Sequence, residues 1–230
     1  MSNKIVIFGT GEIAELAYFY FTNDSKYDVV AFTADDEYVN CDSFNNLPLI
    51  PFSKIENEYP NTEYKAHVAL SYNYLNQVRK EKYKLMKQKG YTLVNYVCSK
   101  AVFWDDLNIG DNCFILENQT IQPTVIIGNN VMIWSGNHLG HGCKINDHAY
   151  ISSHVCISGH TEIGESCFIG VNSTFKDFLK IGNDVFIAMD ACVTKNVPDD
   201  SVVLGVPSII HSPDEEIAKK LKFRYFGIKY

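Results

Sequence analysis

The chain has no apolar run near its start that could carry it into or across a membrane. Ile5-Val6-Ile7-Phe8 is four residues long, against the roughly 18–20 needed for a span or about 7–15 for the apolar stretch of a leader peptide. A cytoplasmic protein with no membrane partner is therefore expected. The chain also lacks any C-x-x-C pair. Its seven cysteines (Cys41, Cys98, Cys113, Cys143, Cys156, Cys167 and Cys192) are odd in number, which argues against a disulfide frame and against a zinc ribbon. Most read as small buried hydrophobes. Nor do the basic residues form a continuous patch: 20 Lys and Arg stand against 27 Asp and Glu, a net charge of −7. No nucleic-acid or anionic-membrane partner is indicated. What remains is an ordinary globular composition, with 46% hydrophobic residues over 230 positions, enough for one large domain or two small ones.

What is present is a period of six. An apolar residue recurs at Ile109, Ile115, Ile121, Ile127, Ile133, Leu139, Ile145, Ile151, Ile157, Ile163, Ile169, Phe175, Ile181, Ile187 and Val193. Neither a helix of period 3.6 nor a strand of period 2 keeps such a beat, whereas a solenoid coil does. Four residues after each comes a mostly small side chain, among them Cys113, Cys143, Ala149 and Cys167, with Gln119, Asn137 and Leu179 as departures. Glycine often follows the apolar residue directly, as in Ile109-Gly110 and Ile163-Gly164, and is read as serving a tight corner with unusual dihedrals. On these residues the stretch from about 100 to 207 resembles the hexapeptide-repeat transferases, whose pattern is aliphatic-Gly-x-x-small-x. The resemblance implies a left-handed parallel β-helix in which three hexads make one triangular coil, residues 18 apart stack, and chains assemble as homotrimers.

Ahead of the repeat, Lys4–Phe8 reads as a buried strand. Gly9-Thr10-Gly11 turns it into a helix whose apolar face is Ile13, Leu16, Ala17 and Tyr20. A second strand, Val29–Phe32, ends at Asp35-Asp36, at the spacing where a Rossmann-type unit carries its ribose-contacting acid. Gly-x-Gly alone fits either a plain tight turn or a phosphate site. With Ala14 in place of a third glycine, and room for only one mononucleotide half, NAD is not suggested. His67–Leu70 reads as another strand and Tyr74–Lys89 as a basic helix stopped at Gly90, from which Arg79 or Lys80 reaches a phosphate or simply lines a solvated face. Three segments are expected: a Rossmann-like nucleotide-sugar-binding domain over 1–97, the β-helix over 98–210, and a tail over 211–230 with Ser212 and Pro213 starting a short helix.

Gly9-Thr10-Gly11, Asp35-Asp36, Ser71-Tyr72-Asn73 and Arg79, followed by a repeat ending in Gly205-Val206-Pro207, are together similar to the nucleotide-sugar N-acetyltransferases and sialic-acid O-acetyltransferases of this family. The resemblance implies acetyl-CoA as co-substrate and a nucleotide-linked amino sugar of the 4-amino-dideoxy type as acceptor; a sugar or sialic-acid hydroxyl, or a longer acyl group, is the alternative. It places the catalytic histidine at His141, with His138 beside it, and the nucleotide sugar at Gly9, Gly11, Asp35, Asp36, Asn73 and Arg79. Acetyl-CoA falls at Tyr150, Gly159, Val171 and Pro207. Histidine suits a base working near neutral pH, and the 18-residue rule sets Gly159 over His141, where a backbone N–H can face a thioester carbonyl. In a bacillosamine-pathway member of the subfamily a glutamate follows the catalytic histidine and orients it, and a CoA-contacting histidine stands where this chain has Tyr150. This chain has Gly142 after the histidine, so either the orienting partner comes from Asn137, Asp147 or a neighbouring subunit, or the histidine works unaided. His148, His154 and His160 read as solvated surface groups. No metal is expected, because these histidines project from successive coils with no thiolate or carboxylate in the same column.

Overall fold

The computed structural model describes residues 3–205, 216, 217, 219 and 220. Its first part is a five-stranded sheet. Strands β1 (Lys4–Phe8), β2 (Asp28–Ala34), β4 (Leu47–Pro51) and β5 (Lys65–Val68) run parallel, while β3 (Ser43–Phe44) forms a hairpin with β4, in the order β3-β4-β2-β1-β5. Interior strand β1 is covered on both faces, which explains its unbroken apolar run. Ile5 and Ile7 point into the cluster shared with helix α1 (Glu12–Asn23), and Val6 and Phe8 into the one shared with the short helix α2 (Ile55–Glu58) and with α3 (Gln77–Gln88). The stripe of α1 centres on Ala14, Ala17 and Phe21, one step round from the expected face, because the small Ala14 lets the helix close onto the Gly9 turn. Helix α3 begins three residues later than expected, since Tyr74, Leu75 and Asn76 all adopt positive φ (49°, 52° and 67°).

From Tyr96 onward the chain winds as a parallel β-helix with three flat faces built from two-residue strands. Face 1 stacks Asn108–Ile109, Ile126–Ile127, Lys144–Ile145, Glu162–Ile163 and Lys180–Ile181. Face 2 runs from Tyr96–Val97 through Phe114–Ile115, Met132–Ile133, Tyr150–Ile151, Phe168–Ile169 and Phe186–Ile187 to Val202–Val203. Face 3 holds Thr120–Ile121, His138–Leu139, Cys156–Ile157, Thr174–Phe175 and Cys192–Val193. Every one of the fifteen periodic apolar residues is the second residue of such a strand and turns inward to one continuous core. Stacking each coil on the last is what buries this column. Cys113, Cys143 and Cys167 are fully buried among them, whereas Cys41, Cys156 and Cys192 are exposed.

The corners differ from the dihedral reading of their glycines. Gly110, Gly164 and Gly170 do not have positive φ; they are required because the next coil passes too close. A Cβ at Gly164 would lie 2.2 Å from the Gly182 carbonyl oxygen. Positive φ falls two residues later and recurs every six residues, through Asn112, Asn118, Thr124, Asn130, Gly136, Gly142, His148, His154, His160, Ser166, Asn172, Phe178, Asp184 and Asp190. Asn, Asp, His and Gly dominate this column, the residues that tolerate the left-handed region best.

The two parts pack against each other along face 2 and along the corner between faces 1 and 2. Tyr96, Phe114, Met132 and Tyr150 enter the same apolar cluster as α1. Asn112 accepts a hydrogen bond from the Val68 N–H and returns one to its carbonyl. Tyr83 donates to Asp111, and Lys80 pairs with Glu165 at 2.7 Å. Residues 216, 217, 219 and 220 are helical; the expected helix start at Ser212 and Pro213 lies outside the described residues.

Candidate active site

His141 sits at the corner between faces 3 and 1, exposed, at the mouth of a cavity of about 350 Å³ lined also by Ser158, Gly159, His160, Lys176, Asp177 and Phe178. The 18-residue rule holds to atomic detail: a Cβ added at Gly159 would lie 2.9 Å from His141 Cε1 and 3.1 Å from Nε2. Glycine at 159 is therefore what gives the ring its place. The Gly159 N–H finds no acceptor among the described residues. His160 meets the His141 ring edge-on at 4.9 Å and itself stacks on Phe178.

The ring is oriented by a residue the sequence reading missed. Gln122, from the coil below, accepts the His141 backbone N–H at 2.8 Å and faces ring Nδ1 at 3.2 Å with the same oxygen. Neither expected partner reaches it: the Asn137 oxygen accepts from Val155 N–H, and Asp147 accepts from Asn129. The glycine after the histidine also has its reason. Gly142 has φ +68°, and a Cβ there would strike His160 Nδ1 at 2.5 Å, so a side chain at that position would have to displace the His160 ring. The available signal was the coil itself, since Gln122 lies 19 residues before His141, on the same corner.

His138 lies elsewhere, half-buried on the flat of face 3 between Thr120 and Cys156. Of the other histidines, His154 and His160 are exposed as expected. His148 is not. At 3% exposure it lies beneath α3, with Tyr83 packed over its ring. Asn112 donates to Asn130 and Asn130 donates to His148 Nδ1, which leaves the proton on Nε2. Burial pushes its pKa down to about 4.

Gly9, Gly11 and Asp35 follow β1 and β2 at the carboxyl edge of the α/β sheet, and Asn73 comes five residues after the end of β5. Gly9 is fixed by φ +132° and by the Ala69 carbonyl 2.6 Å from where its Cβ would stand; at Gly11 a Cβ would meet nothing. Asp35 pairs with Lys82 at 2.9 Å. Asp36 is turned away to accept from the Ser53 hydroxyl and N–H, bonds that lower its pKa. Asn73 lines a second, apolar cleft of about 580 Å³ with Tyr72, Tyr74, Val171 and Met189.

Arg79 corrects the sequence reading. Its guanidinium is buried, not presented to a phosphate. It donates to the carbonyls of Asn130, His148 (2.8 Å) and Ala149 (3.3 Å) and to the Asn76 side chain (3.1 Å). Burial lowers its pKa only to about 10, so it stays charged, held by carbonyl dipoles. Spacing on a basic helix could not distinguish this from a solvated face. Tyr150 is likewise no open ligand surface: it is 4% exposed, stacked on Phe168, covered by Tyr72, and accepts a bond from Trp134 Nε1. Gly159 and Val171 stand at different corners of the prism, and Pro207 lies outside the described residues. Among the described residues no cluster of three metal-ligating groups occurs, and no helix is long and apolar enough to cross a membrane.

The repeat defines a class. Residues 124–159 match the model described as bacterial transferase hexapeptide (six repeats), so the chain carries the repeat of the bacterial hexapeptide transferases. In sequence it is 26% identical over 111 residues to acyl-[acyl-carrier-protein]–UDP-N-acetylglucosamine O-acyltransferase of Sinorhizobium fredii, covering 45% of this chain and 41% of that protein. The chain spans less than half the length of the curated relatives it matches. In structure it is similar over nearly its whole length to the acetyltransferase domain of PglB from Neisseria gonorrhoeae, solved with acetyl coenzyme A, with a TM-score of 0.79, 20% identity, and 91% and 99% of the two chains covered. It is similar too to PerB from Caulobacter crescentus, solved with CoA and GDP-perosamine, with a TM-score of 0.76, 20% identity, and 91% and 97% covered. At these identities the likeness is one of fold.

Proposed function

We propose that the protein is an acetyl-CoA-dependent N-acetyltransferase acting on the amine of a nucleotide-linked amino sugar, with His141 as general base. The observation that carries this reading is the geometry at His141: Nδ1 is held by Gln122, Nε2 is left free at an open cavity, and Gly159 offers an unpaired N–H beside it. In the reaction the acceptor nitrogen attacks the thioester carbonyl carbon, a C–N bond forms and the C–S bond breaks. The proton shed by nitrogen passes to Nε2 and then to the departing CoA thiolate. The Gly159 N–H is suited to receive the oxyanion. The structures of similar fold hold acetyl-CoA, or CoA with a GDP-linked amino sugar, which supports both substrates.

The nucleotide is read as binding along the carboxyl edge of a Rossmann-like domain over 1–97, at Gly9, Gly11, Asp35 and Asn73, and CoA in the groove between adjacent left-handed β-helices, each over 98–210, past Gly159 of one copy and Val171 of the next. No residue before 97 lines the His141 cavity, and the α/β part packs on face 2, across the prism from the corner of faces 3 and 1. A neighbouring copy must then bring its nucleotide edge to this histidine, which supports the trimer. A cytoplasmic site, where nucleotide sugars are made, completes the reading. A second reading, transfer to a sugar hydroxyl, is favoured by the UDP-N-acetylglucosamine O-acyltransferase relatives. The neutral partner of His141 favours the amine, which attacks through its own lone pair and sheds its proton late, whereas a hydroxyl needs a stronger base. The deciding experiment follows thiol release from acetyl-CoA with UDP-, dTDP- and GDP-linked amino sugars and with free sugars and sialic acid. Turnover on one amino sugar, lost in His141→Asn, is expected; turnover only on hydroxyl acceptors would overturn the N-acyl assignment.

A further inference from the structure

We infer that Gln122 is the positioning residue of this site: it fixes His141 in the Nδ1–H tautomer, in the place an acid would otherwise take. The inference rests on the reading of His141 as the base.

An amide oxygen can only accept, so a ring nitrogen facing Gln122 Oε1 at 3.2 Å must carry the proton. The lone pair is thereby assigned to Nε2, the atom that faces Gly159. The same oxygen accepts the His141 backbone N–H at 2.8 Å, so side chain and backbone are registered to one point. Gln122 is half-buried, and its own N–H is tied to the Leu139 carbonyl, which keeps the acceptor in place. On the opposite side the ring rests against Gly159 and the edge of His160. The clamp needs Gly142, because the adjoining His160 ring occupies the space of a side chain there.

The difference from an acid is one of charge. When Nε2 takes a proton the ring becomes cationic, and a carboxylate at Nδ1 would stabilise that cation where an amide does so only as a dipole. The groups around the ring from the coils packed against it are the neutral Gln122 below, with Thr124 bonded to the adjoining Gly142 N–H, and His160, Lys176 and Asp177 along the cavity above. None of these is a carboxylate on Nδ1. Gln122 therefore sets the orientation of the ring without placing a charge against Nδ1.

The test uses two variants of the full chain and two readouts. Long-range ¹⁵N–¹H correlation spectra, with His141→Asn identifying the resonance among the seven histidines, report the tautomer without any acceptor substrate. Steady-state thiol release gives kcat, KM and their pH dependence. We expect wild type to show the Nδ1–H form. Gln122→Leu should lose that single tautomer and fall about 10- to 100-fold in kcat with little change in KM. Gln122→Glu should keep the tautomer, recover most of kcat, and move the acidic limb of kcat/KM upward by about one pH unit. A Gln122→Leu protein with unchanged tautomer and kcat overturns the inference, as does an unmoved acidic limb in Gln122→Glu, which guards against a leucine variant that merely folds badly. If the tautomers behave as stated while no amino sugar reacts, it is the acetyl-transfer reading that fails, and the positioning role stands.

Discussion

His141 and His148 belong to one coil, seven residues and one corner apart, and the structure treats them in opposite ways. His141 has one nitrogen held and the other free at an open cavity. His148 has Nδ1 committed to Asn130 and its ring shut under Tyr83, with its pKa lowered to about 4. His148 takes the left-handed position that Gly142 takes beside His141, and the exposed His154 and His160 take it too, so residue type and repeat position do not by themselves separate an exposed histidine from a buried one. What separates them is covering: the α/β part lies over the corner of faces 1 and 2 and leaves the corner of faces 3 and 1 bare.

That contrast can be broken from either side. The largest effect is expected at the bare corner, where His141→Asn should lower kcat by about 10³-fold, within the range for loss of a general base, while thermal stability measured by calorimetry stays within about 0.5 kcal/mol of wild type. At the covered corner the reverse is expected. Arg79→Ala removes the donor to three carbonyls and should cost about 3 kcal/mol in denaturant unfolding, detaching the α/β part from the prism. A stability change under about 1 kcal/mol would show the docking to be carried by the apolar cluster alone. Gly159→Ala should come next. Its Cβ cannot share space with the His141 ring, so kcat should drop about 100-fold, or about 2.7 kcal/mol in barrier, with the fold intact by circular dichroism.

Acid sensitivity sharpens the comparison further. His148 and the buried His67, also lowered to about 4, are neutral when folded but take up protons once unfolded, below about pH 6.5. The unfolded state therefore binds more protons between about pH 6.5 and pH 4, and stability should fall as pH is lowered through that window and be flat above it. His148→Asn, whose side chain tolerates the same left-handed corner, should flatten part of this slope by up to about 3 kcal/mol. An unchanged slope would show that His148 is not the group that titrates.

The same contrast explains what could be read from sequence. The β-helix was plain because stacking imposes a strict interval of six, and any break would open the core. His141 and Gly159 followed from that interval. Arg79 and His148 did not, because whether they are buried depends on how the α/β part docks, which no local pattern encodes. The hairpin of β3 and β4 is hard to read because β3 is two residues long and β4 carries two prolines, Pro48 and Pro51. Gln122 is not legible from the residues flanking His141 in the chain, because it lies beneath them in the stack.

The six-residue column of left-handed corners has one more consequence. Phe178, Thr124 and Ser166 sit in it with φ of 58°, 65° and 58°, a conformation that costs a side chain about 1 kcal/mol and glycine almost nothing. Each is a place where the prism holds back stability it could have had. Phe178 sustains the His160 stack beside the cavity and Thr124 accepts the Gly142 N–H at the same corner, whereas Ser166, on the covered corner, is the candidate for exchange to asparagine or glycine. Hardening the scaffold and tuning the site can thus proceed at separate positions of a single repeating column.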